Sequence, residues 1–516
     1  MFGVTRGLRH LYRLAEIVWT LARHDALFAL EQIAAVAPLA RALRMVRRRG
    51  PSGPARRPGE RLADALLALG PSFIKLGQAL SIRADLIGDE VATDLALLQD
   101  RLPPFPGEDA VATIEQELGA PLASLFNSFD RSAIAAASIA QVHLAITTEN
   151  EAVAVKVLRP GIAAAFARDI DLFLWLAGLI ERFEPSLRRL KPREVVLTLA
   201  QSVRLEMDLR FEAAAASELR ENFEGDPDFR VPLVDWRRTG RSVLTLQRVT
   251  GIRVDDTAAL AASGHDPRII LTKAARAFFA QVFRDGFFHA DLHPGNLFVD
   301  ADGAIVAVDF GIMGRLDHKT RFYLADMLLA FLTGDYARVA AVHFEAGYVP
   351  PHHSRAWFAQ ACRAIGEPIL GRPLHEISLG RLLAQLFEVT EQFEMETQPQ
   401  LLLLQKTMVV AEGVGRMVDP TVNMWSLAQP LIEEWMRENR GPEARIAEAA
   451  AELLDGLQKV PVMLRRLDQI TRLAIEEATQ LPTSESAASG MRKLVAPFWI
   501  IALTLIVIVW LFAQSR

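Results

Sequence analysis

His289-Ala290-Asp291-Leu292-His293-Pro294-Gly295-Asn296, followed by Asp309-Phe310-Gly311, is the stretch on which the reading of this chain turns. Between the two lie Asn296-Leu-Phe-Val-Asp300, the turn Ala-Asp-Gly303, and Ala304-Ile-Val-Ala-Val-Asp309. That pattern predicts a hairpin, because Asp-Gly supplies a tight turn between two apolar runs. An Asp, an Asn five residues on, and an Asp-Phe-Gly across a hairpin is an arrangement suited to phosphoryl transfer. Two oxygen side chains, Asn296 and Asp309, can hold Mg2+ on the phosphates of ATP or ADP, while the carboxylate of Asp291 faces water or an acceptor oxygen.

Working upstream, Ala152-Val-Ala-Val-Lys156-Val-Leu158 reads as a strand whose lysine can reach the α- and β-phosphates. Ala135-Ala136-Ala137-Ser138 stands just before it, where a phosphate-covering loop belongs; the same alanines would also suit a helix start. Each piece alone is a weak signal, and their order gives them weight. Spacing leaves the acidic partner of Lys156 open among Glu194, Glu206 and Glu212. The histidines of His289-Ala-Asp-Leu-His293 have the i, i+4 spacing of a zinc pair, but Pro294 and Gly295 disfavour a continuing helix and no third ligand is evident. No Gly-Lys pair offers a P-loop, and Gly413-Val-Gly415 lacks the third glycine of a dinucleotide fingerprint.

The rest of the chain sets limits. Its 516 residues call for several structural units. With 51% hydrophobic and 23% charged residues and a mean hydropathy of +0.18, it is not a disordered chain. A net charge of -5 argues against nucleic-acid binding, and the single cysteine, Cys362, excludes an intrachain disulfide framework. Leu494 to Ala513 is twenty residues without a charge, about 30 Å as a helix, with Trp499 and Trp510 toward its ends. It reads as one transmembrane helix. Arg492 and Lys493 before it place the main body in the cytoplasm, at a bacterial inner membrane. At the other end, eleven arginines stand against three acids up to Arg57, interleaved with Leu8, Leu11, Tyr12, Ile17 and Trp19. These are not the features of a secretory signal. They describe a basic amphipathic helix that either lies on an anionic membrane or packs on the protein.

On these residues the chain resembles the UbiB family of atypical protein-kinase-like proteins, which are linked to ubiquinone biosynthesis. Gly70-Pro-Ser-Phe-Ile-Lys75-Leu-Gly77-Gln78 is similar to that family's KxGQ motif, continued by Ser81-Ile-Arg83-Ala-Asp85 and Leu98-Gln99-Asp100. Ala135 to Ser138 resembles its alanine-rich loop and Glu206-Met-Asp208 its ExD motif. Glu412-Gly-Val-Gly-Arg416 and Asp419-Pro420 also match. The resemblance implies an α+β fold: a two-lobed protein-kinase-like body with an N-terminal helical extension, and here one C-terminal transmembrane helix. The expected order is basic helices over 1–50, a linker over 51–59 and the KxGQ extension over 60–117. An N-lobe with a helical insertion over 118–250 and a C-lobe over 251–380 follow. A helical region over 381–482, a tether over 483–493 and the span over 494–513 complete it.

The resemblance further implies that Lys156 pairs with Glu212 and that Lys75, Gly77, Gln78, Glu206 and Asp208 gate the cleft. Ala290 replaces the arginine of an ordinary kinase His-Arg-Asp motif, and no Ala-Pro-Glu follows the Asp-Phe-Gly, so a general peptide kinase is disfavoured. The leading expectation is a membrane-anchored, Mg2+-dependent ATPase or unorthodox kinase supporting ubiquinone biosynthesis. Its partners would be membrane lipid, quinone precursors and other biosynthetic proteins. A non-catalytic scaffold that binds nucleotide and lipid is the alternative. A direct polyprenylphenol hydroxylase finds no flavin, haem or iron signature.

Overall fold

The computed structural model describes residues 2–28, 56–81, 87–96, 102–183, 192–368, 385, 388–390, 392–395, 399–418 and 424–440. The chain divides into a unit spanning Met1–Trp435 and a second, Met436–Arg516. Of the second unit, only the last turn of one helix is described.

In chain order the described helices begin with α1 (Phe2–Arg23), α2 (Pro58–Leu69), α3 (Pro71–Ser81), α4 (Asp89–Ala96), α5 (Gly107–Leu118) and α6 (Leu122–Leu125). Four strands follow: β1 (Phe126–Phe129), β2 (Ala135–Ala136), β3 (Ala140–Thr147) and β4 (Ala152–Leu158). Then come α7 (Ile162–Phe183), α8 (Pro192–Glu206), α9 (Leu209–Asn222), β5 (Phe229–Arg230), β6 (Val243–Gln247) and β7 (Ile252–Arg253). The next stretch holds α10 (Thr257–Ala262), α11 (Pro267–Phe279), β8 (Phe287–His289), β9 (Leu297–Val299), β10 (Ile305–Ala307) and β11 (Met313–Arg315). Helices α12 (His318–Leu332), α13 (Tyr336–Glu345), α14 (Arg355–Gly366), α15 (Pro399–Val418) and α16 (Met424–Arg440) close the described chain.

The antiparallel sheet β1-β3-β4-β6, with β2 on β3, is the frame for Lys156. Strand alternation explains its orientation. Val153, Val155 and Val157 turn to one face and are buried with Val243 against Ala110 and Ile114 of α5. Lys156 therefore takes the opposite face, opposite Val142 on β3 and Leu244 on β6. A second sheet, β5-β10-β9-β7, contains the expected hairpin. Ile305 pairs with Val299 and Ala307 with Leu297, and Gly303 turns at φ +77°, in the left-handed region that glycine enters without a Cβ clash. The hairpin sets the separation between Asn296 and Asp309. A third ladder, β8-β11, pairs His289 with Met313 and holds the two ends of the segment over 289–313 together.

The apolar periodicity that runs from Ile162 to Glu221 in the sequence is carried, among the described residues, by α7, α8 and α9. The break at Met207-Asp208 has a local cause: the Asp208 side chain accepts from the Arg210 N–H and caps α9. Among the described residues between Phe73 and Gln99, Gly88 turns at φ +81° just before α4 begins. The expected linker over 51–59 ends earlier than its composition indicates, since α2 starts at Pro58 with proline in the first turn. Gly59 belongs to that helix, and a Cβ there would overlap Asp94.

Helix α1 packs on the body. Ile17 and Leu21 are buried in a cluster shared with α2, α3, α7 and α8. Arg13 donates to both Asp169 oxygens at 3.0 Å, and His10 meets Asp171 at 3.0 Å. Leu11, Tyr12 and Trp19 stay exposed on its outer side. Cys362 lies in the apolar cluster of α12 to α14, where burial pushes its thiol up to about 12. Among the described residues, no helix is long and apolar enough to cross a membrane. The apolar run over 494–513 and its tether lie outside the described residues.

The β8-β11 ladder yields a direct test. A Cβ on Gly314 would land on the fully buried Phe288 ring. Gly314→Ala should cost about 1–3 kcal/mol through overpacking, read as a lower midpoint in denaturant unfolding. An unchanged midpoint would contradict the ladder's register.

Candidate functional site

Lys156 is the centre of the site. Its ammonium donates to both oxygens of Glu212, at 2.8 and 3.0 Å, and to Oδ1 of Asp309 at 2.8 Å. Of the three acids that spacing leaves open as partners for Lys156, the fold brings up Glu212. It sits in the first turn of α9, where the helix N-terminus favours a carboxylate, and the Asp208 cap fixes where that turn begins.

Two carboxylates share one ammonium, so the cluster carries one excess negative charge when both are ionised, and a raised Glu212 carboxyl relieves it. Burial pushes the Glu212 carboxyl up to about 7; the Lys156 ammonium opposes the rise and the Asp309 charge adds to it. Asp309 is held well below the usual carboxylate range, chiefly by Lys156. For Lys156, burial works against the charge, but the two carboxylates outweigh it and raise it above the ordinary lysine value. Glu212 is 7% exposed and Asp309 49%. Asp309 thus faces the open side of the cluster, and a divalent cation fits the surplus charge there. Asp309 also sits at φ +63°, a left-handed conformation that Asp and Asn tolerate better than other side-chain-bearing residues.

The loop from His289 to Asn296 is braced from below. His289 is fully buried. Its Nδ1 accepts from the Asp291 N–H at 3.2 Å, which leaves Nε2–H to donate to the Val308 carbonyl at 3.2 Å. Burial lowers its pKa, in keeping with that neutral tautomer. Both ring nitrogens are engaged, and His293 Nδ1 accepts from Gly295 N–H in the following turn, so the two histidines serve the loop rather than a zinc ion. Asn296 Nδ2 donates to the Asp291 carbonyl at 3.1 Å, and its side-chain oxygen is not used in that bond. Phe310 is buried edge-on to His289.

Ala135 and Ala136 form strand β2, paired with Val142 and Gln141, and the Ala137 N–H closes a turn onto Ala140. The helix-start reading of this run is therefore incorrect; antiparallel pairing to β3 takes its place. None of the four residues has a positive φ. Arg159 donates to the Ala137 carbonyl at 2.9 Å and to Pro103 at 2.8 Å, so the turn is pinned from its own lobe. Ser138 is fully buried beneath it.

Lys75 on α3 meets Glu206 at 2.6 Å, both mostly buried, with Gly77 buried and Gln78 half-buried on the same helix. Glu206 ends α8, and Asp208 starts α9. The KxGQ and ExD segments are thereby joined mechanically to the helix that carries Glu212. Two further residues have no signal in the sequence. Thr407 of α15 is fully buried and donates to the Ala290 carbonyl at 3.1 Å, 117 residues away. Its neighbour Lys406 brings Nζ to 3.9 Å from Asp291 Oδ1.

Residues 97–343 match the ABC1 atypical kinase-like domain, and residues 362–423 match the UbiB helical domain. A protein of Marinobacter nauticus named "Probable protein kinase UbiB" is 46% identical over 409 residues, covering 78% of this chain and 75% of its own. One of the same name from Azotobacter vinelandii is 43% identical over 424 residues, 81% and 78% of the two chains. A solved Mycobacterium tuberculosis protein in complex with erythromycin aligns at 25% identity, over 71% of this chain and 93% of that one, with a TM-score of 0.48.

The shared ammonium predicts a pH signature. Because the Glu212 carboxyl is raised in the folded state, the stability linked to it is full below the ordinary glutamate value of 4.5 and is lost as pH rises through about 7. Glu212→Gln imitates the protonated form at every pH. The stability of the wild type relative to Glu212→Gln should therefore fall between pH 4.5 and 7, measured by urea unfolding. A constant difference across that window would show that Glu212 is not so perturbed.

Proposed function

The chain belongs to the UbiB family of atypical kinase-like proteins, and from that premise we propose that it is a membrane-associated, magnesium-dependent ATP-binding protein that turns ATP over in support of ubiquinone biosynthesis. The observation that carries this reading is the assembly of Lys156, Glu212 and Asp309 beside a catalytic loop that presents Asp291 and Asn296. In this reading Lys156 takes the α- and β-phosphates. Asn296 and Asp309 hold Mg2+, whose chemistry is to neutralise charge on the phosphates. Asp291 orients water or an acceptor hydroxyl.

The turn Ala135–Ser138 covers the phosphates in extended backbone, pinned by Arg159. A glycine loop would instead use positive φ to wrap its N–H groups around them. Lys75, Gly77, Gln78, Glu206 and Asp208 gate the cleft: movement of α3 is transmitted through the Lys75–Glu206 pair to α9 and so to Glu212. The product of ATP turnover is work on lipid, namely the extraction of quinone precursors from the bilayer or the organisation of other biosynthetic proteins.

Membrane attachment in this proposal has two parts, the charge-free run over 494–513 and the outer side of α1. That side presents Leu11, Tyr12 and Trp19 next to exposed Arg9, an arrangement suited to an anionic interface.

Asp309→Asn keeps the left-handed residue type but removes the charge. It should weaken MgATP binding by at least ~10-fold, because the carboxylate is the main charged ligand, while retaining a cooperative unfolding transition. Wild-type affinity in this variant would overturn the assignment of the site. Deleting 494–516 should leave residual, salt-sensitive binding to vesicles of anionic lipid, reduced further by Trp19→Ser in α1. A truncated protein that ignores such vesicles at low salt would remove α1 from the attachment.

A further inference from the structure

The kinase-like part of the chain puts its cation, Lys156, on the side of the cleft where Glu212 and Asp309 hold it. Phosphoryl transfer also spreads negative charge over the terminal phosphate near Asp291, and a cation there stabilises it. The catalytic loop itself offers none: Ala290 and Leu292 are apolar, and His293 is turned into the Gly295 N–H. Among the described residues, the ion-pair partner of Asp291 is Lys406. It comes from α15, inside the region matching the UbiB helical domain and outside the match to the kinase-like domain.

Its placement is specific. Thr407, fully buried, ties α15 to the Ala290 carbonyl in the residue next to Asp291. The single hydroxyl proton of Thr407 is shared between the Ala290 carbonyl at 3.1 Å and the Leu403 carbonyl within α15 at 2.8 Å, a three-centre contact that sets the helix against the loop. Lys406 is half-exposed and lies 3.9 Å from the carboxylate, close enough to attract but too far for a hydrogen bond. Its donors are available to a phosphate, and its four-carbon stem can reach one.

We propose that Lys406 is the cation of the terminal phosphate: it screens Asp291 in the empty cleft and faces the γ-phosphate of bound ATP. In the transfer, the oxygen of water or an acceptor bonds to the γ-phosphorus as the bond from that phosphorus to the β–γ bridging oxygen breaks. The electron pair leaves on ADP, the acceptor's proton passes to Asp291, and Lys406 stabilises the charge on the moving group. The helical region is in this way a working part of the site, and an ATP-specific one, because ADP lacks the phosphate that Lys406 meets.

This inference rests on the nucleotide-binding reading above, and affinity measurements separate the two. The full-length protein, in detergent micelles, is titrated with MgATP and MgADP, and its ATP hydrolysis is followed. Lys406→Met should weaken MgATP by about tenfold, the usual worth of a charge-assisted hydrogen bond, with MgADP within about twofold of wild type. Lys406→Arg should recover most of the ATP preference and of any turnover. Thr407→Val, which loosens the helix without touching the charge, should weaken the ATP preference less than Lys406→Met. An unchanged ATP-to-ADP ratio in Lys406→Met, or a parallel loss of both nucleotides, overturns the inference while leaving nucleotide binding intact. A wild type that binds neither nucleotide overturns the proposed function and this inference with it.

Discussion

One ammonium serving two carboxylates is the constraint around which this molecule is arranged. Lys156 meets Glu212 from α9 and Asp309 from the loop after the β9-β10 hairpin, so three distant stretches of chain must converge within hydrogen-bond distance. A buried charge is tolerated only when it is paired, and a single lysine cannot neutralise both acids. In the proposed function, a metal cation relieves the negative charge left when both carboxylates are ionised, and the phosphates it carries draw Lys156 away from Asp309. The fold is thus poised for a ligand of matching charge, rather than satisfied without one.

Much of the remaining architecture maintains that convergence. The Val153-Val155-Val157 face anchors β4 on α5 and sends Lys156 to the cleft. The Asp208 cap sets the start of α9, and Lys75 holds the end of α8 through Glu206. His289, neutral and buried, ties the Asp291 backbone to Val308, one residue before Asp309. These contacts connect the helices that precede the kinase-like domain to the chemistry, and Thr407 does the same from the helices that follow it. The family-specific elements therefore act on the site from both sides.

The sequence made some of this legible and concealed the rest for physical reasons. The hairpin could be read because Asp-Gly and two apolar runs are local signals, and Lys156 because strand alternation is local too. The order of Lys156, Asp291, Asn296 and Asp309 carried the kinase-like reading. Glu212 could not be separated from Glu194 and Glu206 by spacing, since its choice depends on where α8 ends and α9 begins, and on packing across 56 residues. The helical periodicity from Ile162 to Glu221 concealed the break at Asp208, because a capping carboxylate leaves the apolar pattern almost unchanged. Ala135 to Ser138 could be placed in order but not in conformation; pairing with Gln141 and Val142 decides that. Lys406 was invisible, as a lone lysine in a helical stretch looks like any solvated residue until the fold sets it beside Asp291.

The central claim is that the surplus charge on this cluster is completed by a metal-bound nucleotide. It is tested most directly by calorimetric titration of the full-length wild-type protein with ATP, in the presence of Mg2+ and in its absence with a chelator. The account predicts that Mg2+ tightens ATP binding by at least ~10-fold, because without it the phosphates meet the unneutralised carboxylate of Asp309. Equal affinity under the two conditions would contradict it.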